Sequence, residues 1–270
     1  MAKENATREE IRQRILQLEK EKKFDVHVDP IDYSIALPVD SSFHYFPQGF
    51  KERFRHFCIM NFGLRQFMSK VTRKWQELEV VGHENLQGVK AAIVISNHIQ
   101  MFDCIALKTA LRPHYTNIVA ASFNNMKGQM GDSMRTAGMM PLPNDFHDMR
   151  YFEEAIKKAL GMNRYVLIYP EQSEWWYYEK PRPFKPGAFY YAAKNDVPVI
   201  PCFITYKPRK RPDSTAEGMY PYGMIVHILK PIYPKKDLDP IANRDYLKDA
   251  AFAACKECYE STYHKKLSYD

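Results

Sequence analysis

From Leu78 to the C-terminus, short apolar runs bounded by turn residues alternate with stretches of helical period, the pattern of a layered α/β domain. Leu78–Val81, Ala91–Ser96, Asn117–Ala121, Met139–Leu142, Tyr165–Tyr169, Val199–Tyr206 and Met224–Ile232 read as strands. Met101–Leu111, a segment carrying Met126, Met130 and Met134, Phe146–Leu160, Gly187–Asn195 and Asp245–His264 read as helices. The predicted fold class is α/β, a mixed central β-sheet flanked by helices. It spans residues 76–270, behind a helical extension over residues 1–75. Pro208, Pro212 and Pro221 mark 207–223 as a surface loop.

The extension is amphipathic in two places. Thr7 and Glu10 fit a capping box, and Ile11, Ile15 and Leu18 follow at helical spacing, so residues 1–23 predict a helix exposed on its charged side. Residues 24–48, with Pro30, Pro38 and Pro47, predict an irregular connection. In 50–74, Phe50, Phe54, Phe57, Met60, Leu64, Phe67 and Val71 form one stripe, which Gly63 could bend or break. Seven Lys and Arg against Glu52 alone fill the intervening positions, so this helix suits an anionic membrane interface; the alternative is docking on the protein's own core.

Composition narrows the classes. The formal charge is +7, which leaves nucleic acid or anionic lipid as partners for a basic surface. No nucleic acid is expected, because the cations interleave with phenylalanines rather than forming a reading module. The longest apolar run, Val197–Ile204, is eight residues with two prolines, too short to span a bilayer. Met1–Lys23 lacks the apolar stretch of a signal peptide, and five cysteines do not make a disulfide framework. The remaining histidines show no ligand spacing, so no metal is expected. Cys255-x-x-Cys258 lies in a helix without a companion pair. Met126, Met130 and Met134 read as core or as a flexible apolar lining.

The chemistry-bearing segment is Ser96-Asn97-His98-Ile99-Gln100-Met101-Phe102-Asp103, which follows an apolar strand and opens a helix. On a regular helix, residues five apart diverge by about 140°. His98 and Asp103 therefore meet only if His98 sits in the turn and Asp103 in the first helical turn. Asp103 would then hold one ring nitrogen and leave the other free to take a proton, making His98 a general base.

Asn97-His98-x4-Asp103, Tyr169-Pro170-Glu171-Gln172-Ser173, Phe184-Lys185-Pro186-Gly187-Ala188 and Val197-Pro198-Val199-Ile200-Pro201 follow in an order that resembles the glycerolipid acyltransferase family, typified by 1-acylglycerol-3-phosphate acyltransferase. The resemblance implies the glycerol-3-phosphate acyltransferase type of fold and direct transfer of a fatty acyl group. The donor would be acyl-CoA or acyl carrier protein, a co-substrate rather than a cofactor, and the acceptor a lysolipid hydroxyl. His98 would be the base and Asp103 its orienting partner. Backbone N–H groups at the helix start would steady the oxyanion. Asn97, Glu171, Gln172, Ser173, Lys185 and Arg182 would bind substrate. The enzyme would sit peripherally or monotopically on the cytoplasmic side of the membrane.

The chain departs from the family where phosphate would bind. Gln172-Ser173-Glu174-Trp175 replaces Gly-Thr-Arg-Ser, and Met139–Asn144 carries no Arg. An acceptor with a glycosyl or other non-phosphate head group is thus an alternative, as is a non-catalytic lipid-surface binding protein. Trp175-Trp176-Tyr177-Tyr178 would stack on a sugar, anchor at lipid, or pack onto the domain.

Overall fold

The computed structural model describes residues 8–28, 31, 33–213 and 220–269. Seven strands form one mixed sheet: β1 (Glu79–Val81), β2 (Ala92–Ile95), β3 (Thr116–Ala120), β4 (Met139–Pro141), β5 (Tyr165–Ile168), β6 (Val199–Lys207) and β7 (Gly223–Ile228). Their order is β1-β7-β6-β2-β5-β3-β4. Five strands run parallel; the β6–β7 pairing is antiparallel, and β1 runs with β7.

The central strand explains the two-sided architecture. Every residue of β2 is buried, because helices cover both faces. Ala92 and Val94 pack toward α4 (Asp103–Ala110), whereas Ile93 and Ile95 pack toward α6 (Met149–Gly161), α7 (Gly187–Lys194) and α8 (Pro240–Tyr263). From β2 the chain crosses by α4 on one face to β3; from β5 it crosses by α7 on the other face to β6. Adjacent parallel strands whose connections leave on opposite faces open a crevice at their carboxyl ends, the usual ligand position in such sheets. The residues after Ile95 and after Ile168, paired in register, line it.

The extension is more integrated than its sequence suggests. Helix α1 (Arg8–Lys20) is not simply an exposed helix: Ile11, Ile15 and Leu18 are buried with Val28, Trp175 and Tyr178. Thr7, half of the expected capping box, lies outside the described residues. Residues 49–75 form one uninterrupted helical path, α2 (Gly49–Ile59) and α3 (Arg65–Lys70), each followed by a π-helical turn. Gly63 lies inside the first π turn and does not break the path. The C-terminal half docks, with Met68 and Val71 against Ile105 of α4. The N-terminal half meets the fold only at its edge, with Arg55 3.7 Å from Asp132: α2 has no buried residue, and Phe50, Phe54, Phe57 and Phe62 are 82%, 58%, 57% and 72% exposed.

Helix α5 (Gly128–Thr136) begins after Met126, so the three methionines do not share it, and Met130 is 61% exposed; the stripe is not core. Helix α8 starts at Pro240, five residues earlier than the spacing predicts, because Asp239 caps it by accepting from the N–H groups of Ile241 and Ala242.

Candidate active site

The turn after β2 brings His98 and Asp103 together. His98 Nδ1 lies 2.8 Å from Asp103 Oδ2. An ionised carboxylate only accepts, so Nδ1 carries the proton and donates, leaving Nε2 as the acceptor nitrogen. Nε2 has no partner among the described residues.

Asp103 is fully buried at the first position of α4. Its Oδ2 also accepts from the N–H groups of Ile99 at 2.9 Å and Gln100 at 3.3 Å. Its Oδ1 accepts from the Tyr169 hydroxyl at 2.5 Å. A buried carboxylate with four donors is held in one orientation, and the helix N-terminus favours its charge. The Tyr169 ring, at the end of β5, stacks on the His98 imidazole with centroids 4.0 Å apart and planes 15° off parallel. Burial, reinforced by the Asp103 charge, pushes the Tyr169 phenol well above its usual pKa, so it stays a donor.

Two influences compete on His98. Burial disfavours the imidazolium, while the charge and hydrogen bond of Asp103, with Glu174 adding, favour it. The attraction prevails and the pKa is raised above that of an ordinary histidine. Cys104 is driven the other way from reactivity: burial, and then Asp103, hold its thiol protonated with a pKa of about 12.

The turn after β5 supports this pair from below. Glu171 Oε2 accepts from the His98 N–H at 3.2 Å. Its Oε1 accepts from the Arg182 N–H at 2.8 Å, and Arg182 Nε donates to Oε2 at 3.0 Å. Arg182 is fully buried; its remaining N–H groups reach the carbonyls of Phe24, His98 and Ser173 and the Ser173 hydroxyl. That saturation leaves no N–H of Arg182 for an acceptor phosphate. Glu171, Ser173 and Arg182 are therefore the frame that positions the His98 turn. Asn97 is also buried and binds both the N–H and C=O of Ile204, locking the turn to β6. Gln172 is exposed at φ +68°, a left-handed conformation a glycine would take more readily. Lys185 is half-exposed and ion-paired with Asp25 at 2.8 Å.

The expected oxyanion donors are mostly consumed. The N–H groups of Ile99 and Gln100 bind Asp103, that of Phe102 binds Gln100 Oε1 and that of Asp103 binds the Gln100 carbonyl. Between Ile99 and Asp103, only the N–H of Met101 is not so engaged.

Trp175 and Tyr178 are core residues facing α1, and Trp175 Nε1 donates to the Val26 carbonyl at 2.9 Å. Tyr177 instead joins Tyr206 and Tyr222 in a cluster with centroids 5.8 and 6.4 Å from it. Tyr169, the strap of residues 24–28 and His27 escaped sequence reasoning. Tyr169 stood in plain view before Pro170-Glu171, but no spacing rule links it to Asp103. Among the described residues, no group of three His, Cys, Asp or Glu could hold a metal ion.

A family model described as Acyltransferase matches residues 77–205, the span that holds the His98 and Glu171 turns. Among solved structures, the 1-acyl-sn-glycerophosphate (LPA) acyltransferase PlsC from Thermotoga maritima shares the fold. The match has a TM-score of 0.55 and 18% identity, over 80% of this chain and 88% of that one. No curated protein sequence matches significantly.

Proposed function

We propose that this protein is a lysolipid O-acyltransferase using acyl-CoA or an acyl carrier protein thioester. The observation that carries the reading is the His98–Asp103 pair, with Nδ1 engaged and Nε2 unengaged at the carboxyl-end crevice. Nε2 takes the proton of the acceptor hydroxyl as its oxygen attacks the thioester carbonyl carbon. Asp103 stabilises the imidazolium that forms, and the Met101 N–H is the loop donor left for the oxyanion. Collapse breaks the C–S bond, and the imidazolium returns its proton to the leaving thiolate. The ester and a free thiol result, with no acyl-enzyme intermediate, consistent with the protonated state of Cys104.

The family resemblance points to 1-acylglycerol-3-phosphate as acceptor. A second reading, a lysolipid with an uncharged head group, is favoured by the saturation of Arg182 within the protein. The exposed phenylalanines of α2, flanked by Lys51, Arg53 and Arg55, suit shallow insertion into an anionic leaflet. On this reading the enzyme is peripheral or monotopic, and the cytoplasmic side is the expected face of the membrane. No helix among the described residues is long and apolar enough to cross a membrane.

The test is mass spectrometry of the lipids formed from palmitoyl-CoA or a carrier-protein thioester and a lysolipid panel. Loss of the general base in His98→Ala lowers the rate on the order of 10²- to 10⁴-fold without unfolding the protein. Normal turnover by that variant rejects the mechanism. Vesicle binding without transfer to any acceptor would leave a lipid-surface binding protein.

A further inference from the structure

Residues 24–28, at the start of the connection after α1, cross the active-site frame as a strap. The Phe24 carbonyl accepts from Arg182 Nη1 at 2.8 Å, the Val26 carbonyl from Trp175 Nε1 at 2.9 Å and the Val28 carbonyl from Arg14 Nη1 at 3.1 Å. The same Arg182 guanidinium binds Glu171 and the His98 carbonyl, so the strap and the catalytic turn share one anchor. The Phe24 ring is flanked by Trp175 and Tyr269, with centroids 5.9 and 4.8 Å away.

Alternate strap residues serve different sides. Phe24, Val26 and Val28 turn into the apolar cluster with Trp175. Asp25 and His27, between them, remain outside it. Asp25 pairs with Lys185, whose own N–H is bonded to the Pro170 carbonyl of the Glu171 turn. His27 is half-buried, edge-on to Phe123 at 5.7 Å, with no hydrogen-bond partner among the described residues.

Resting on the acyltransferase reading above, we propose that this strap is the acceptor-reading rim of the site. In it, Asp25 and His27 hydrogen-bond the hydroxyls of an uncharged lysolipid head group of the glycosyl or polyol class. Three observations converge. Arg182 has no N–H left for a phosphate. Lys185 is paired with Asp25, whose carboxylate an incoming phosphomonoester meets as like charge. The unengaged side chain near the turn is an imidazole; burial, then the His98 and Arg182 charges, lower its pKa and keep it neutral. A neutral imidazole offers one donor and one acceptor, the complement of a hydroxyl rather than of a dianion.

The test measures initial rates of the full-length protein with palmitoyl-CoA and two acceptors, 1-acylglycerol-3-phosphate and a monoacylglycerol glycoside. The unmodified protein, Asp25→Asn, His27→Ala, His27→Gln and His98→Ala are compared, with thermal melts as the folding control. The unmodified protein is expected to favour the glycoside. Asp25→Asn frees Lys185 and raises kcat/KM for the phosphate acceptor about tenfold, equivalent to about 1.4 kcal/mol. His27→Ala raises KM for the glycoside by a similar factor, and His27→Gln, which keeps a donor and an acceptor, restores part of the loss. An acceptor ratio unmoved by the Asp25 and His27 variants, in a protein whose activity needs His98, overturns the rim and leaves the acyltransferase standing. Absence of product with both acceptors overturns the acyltransferase reading and the rim with it.

Discussion

Tyr169→Phe isolates one hydrogen bond at the centre of the site. The substitution keeps the aromatic face stacked on His98 and removes only the hydroxyl that donates to Asp103 Oδ1 at 2.5 Å. Asp103 is fully buried, so water does not replace that donor at once, and its negative charge is left more concentrated. That fuller charge holds the His98 imidazolium more tightly, and the His98 pKa, already raised, rises further. A hydrogen bond to a charged group is worth about 1.5–3 kcal/mol. If about a third of it reaches His98, at about 1.36 kcal/mol per pKa unit, the shift is about 0.4–0.7 unit upward. Only the neutral imidazole can act as base, so the acid limb of the kcat/KM profile moves to higher pH by that amount. The assay is initial rate against pH under subsaturating acceptor, beside a thermal melt. An acid limb that stays in place or moves to lower pH, in a folded protein, refutes this account of Asp103 and Tyr169.

Two further perturbations address the frame and the surface. Arg182→Met leaves Glu171 buried without its counter-charge, which costs about 3–5 kcal/mol and lowers the melting temperature by roughly 6–20 °C; a raised acceptor KM at unchanged melting temperature would instead make Arg182 a binding residue. Replacing Phe50, Phe54 and Phe57 together by Ser weakens sedimentation with anionic vesicles by more than about tenfold. It leaves the melting curve unchanged, because α2 buries none of its residues in the fold; unaltered vesicle binding rejects the interfacial role.

The α/β domain was legible because its signals are local. Strand β2 is a continuous apolar run because it is covered on both faces, and the boundary between Ile95 and Asp103 placed His98 in the turn before the helix. What the sequence hid depends on distant partners. Nothing local tells whether Arg182 faces substrate or core; its burial follows from carbonyls at Phe24 and His98, 158 and 84 positions away in the chain. The Ile11-Ile15-Leu18 stripe announced an amphipathic helix but not its partner, because Trp175 lies far along the chain. Gly63 suggested a bend, yet a π turn absorbs it and the helical path continues to Trp75.

The turn after β5 and the strap are connected through Trp175. Trp175 supplies both the Nε1–H that holds Val26 and the apolar surface that α1 covers. A serine there could not fill a fully buried indole site, and removing so large a side chain from a core typically costs about 3–5 kcal/mol. Glu174 adds negative charge to the His98 environment and raises its pKa, where a guanidinium would act in the opposite direction. One pair of adjacent residues therefore attaches the N-terminal segment to the His98 frame and places negative charge beside the base. With Asp25 paired to Lys185, the electrostatics around this turn favour hydroxyl recognition over a dianion, while the His98–Asp103–Tyr169 arrangement stays fit for proton transfer.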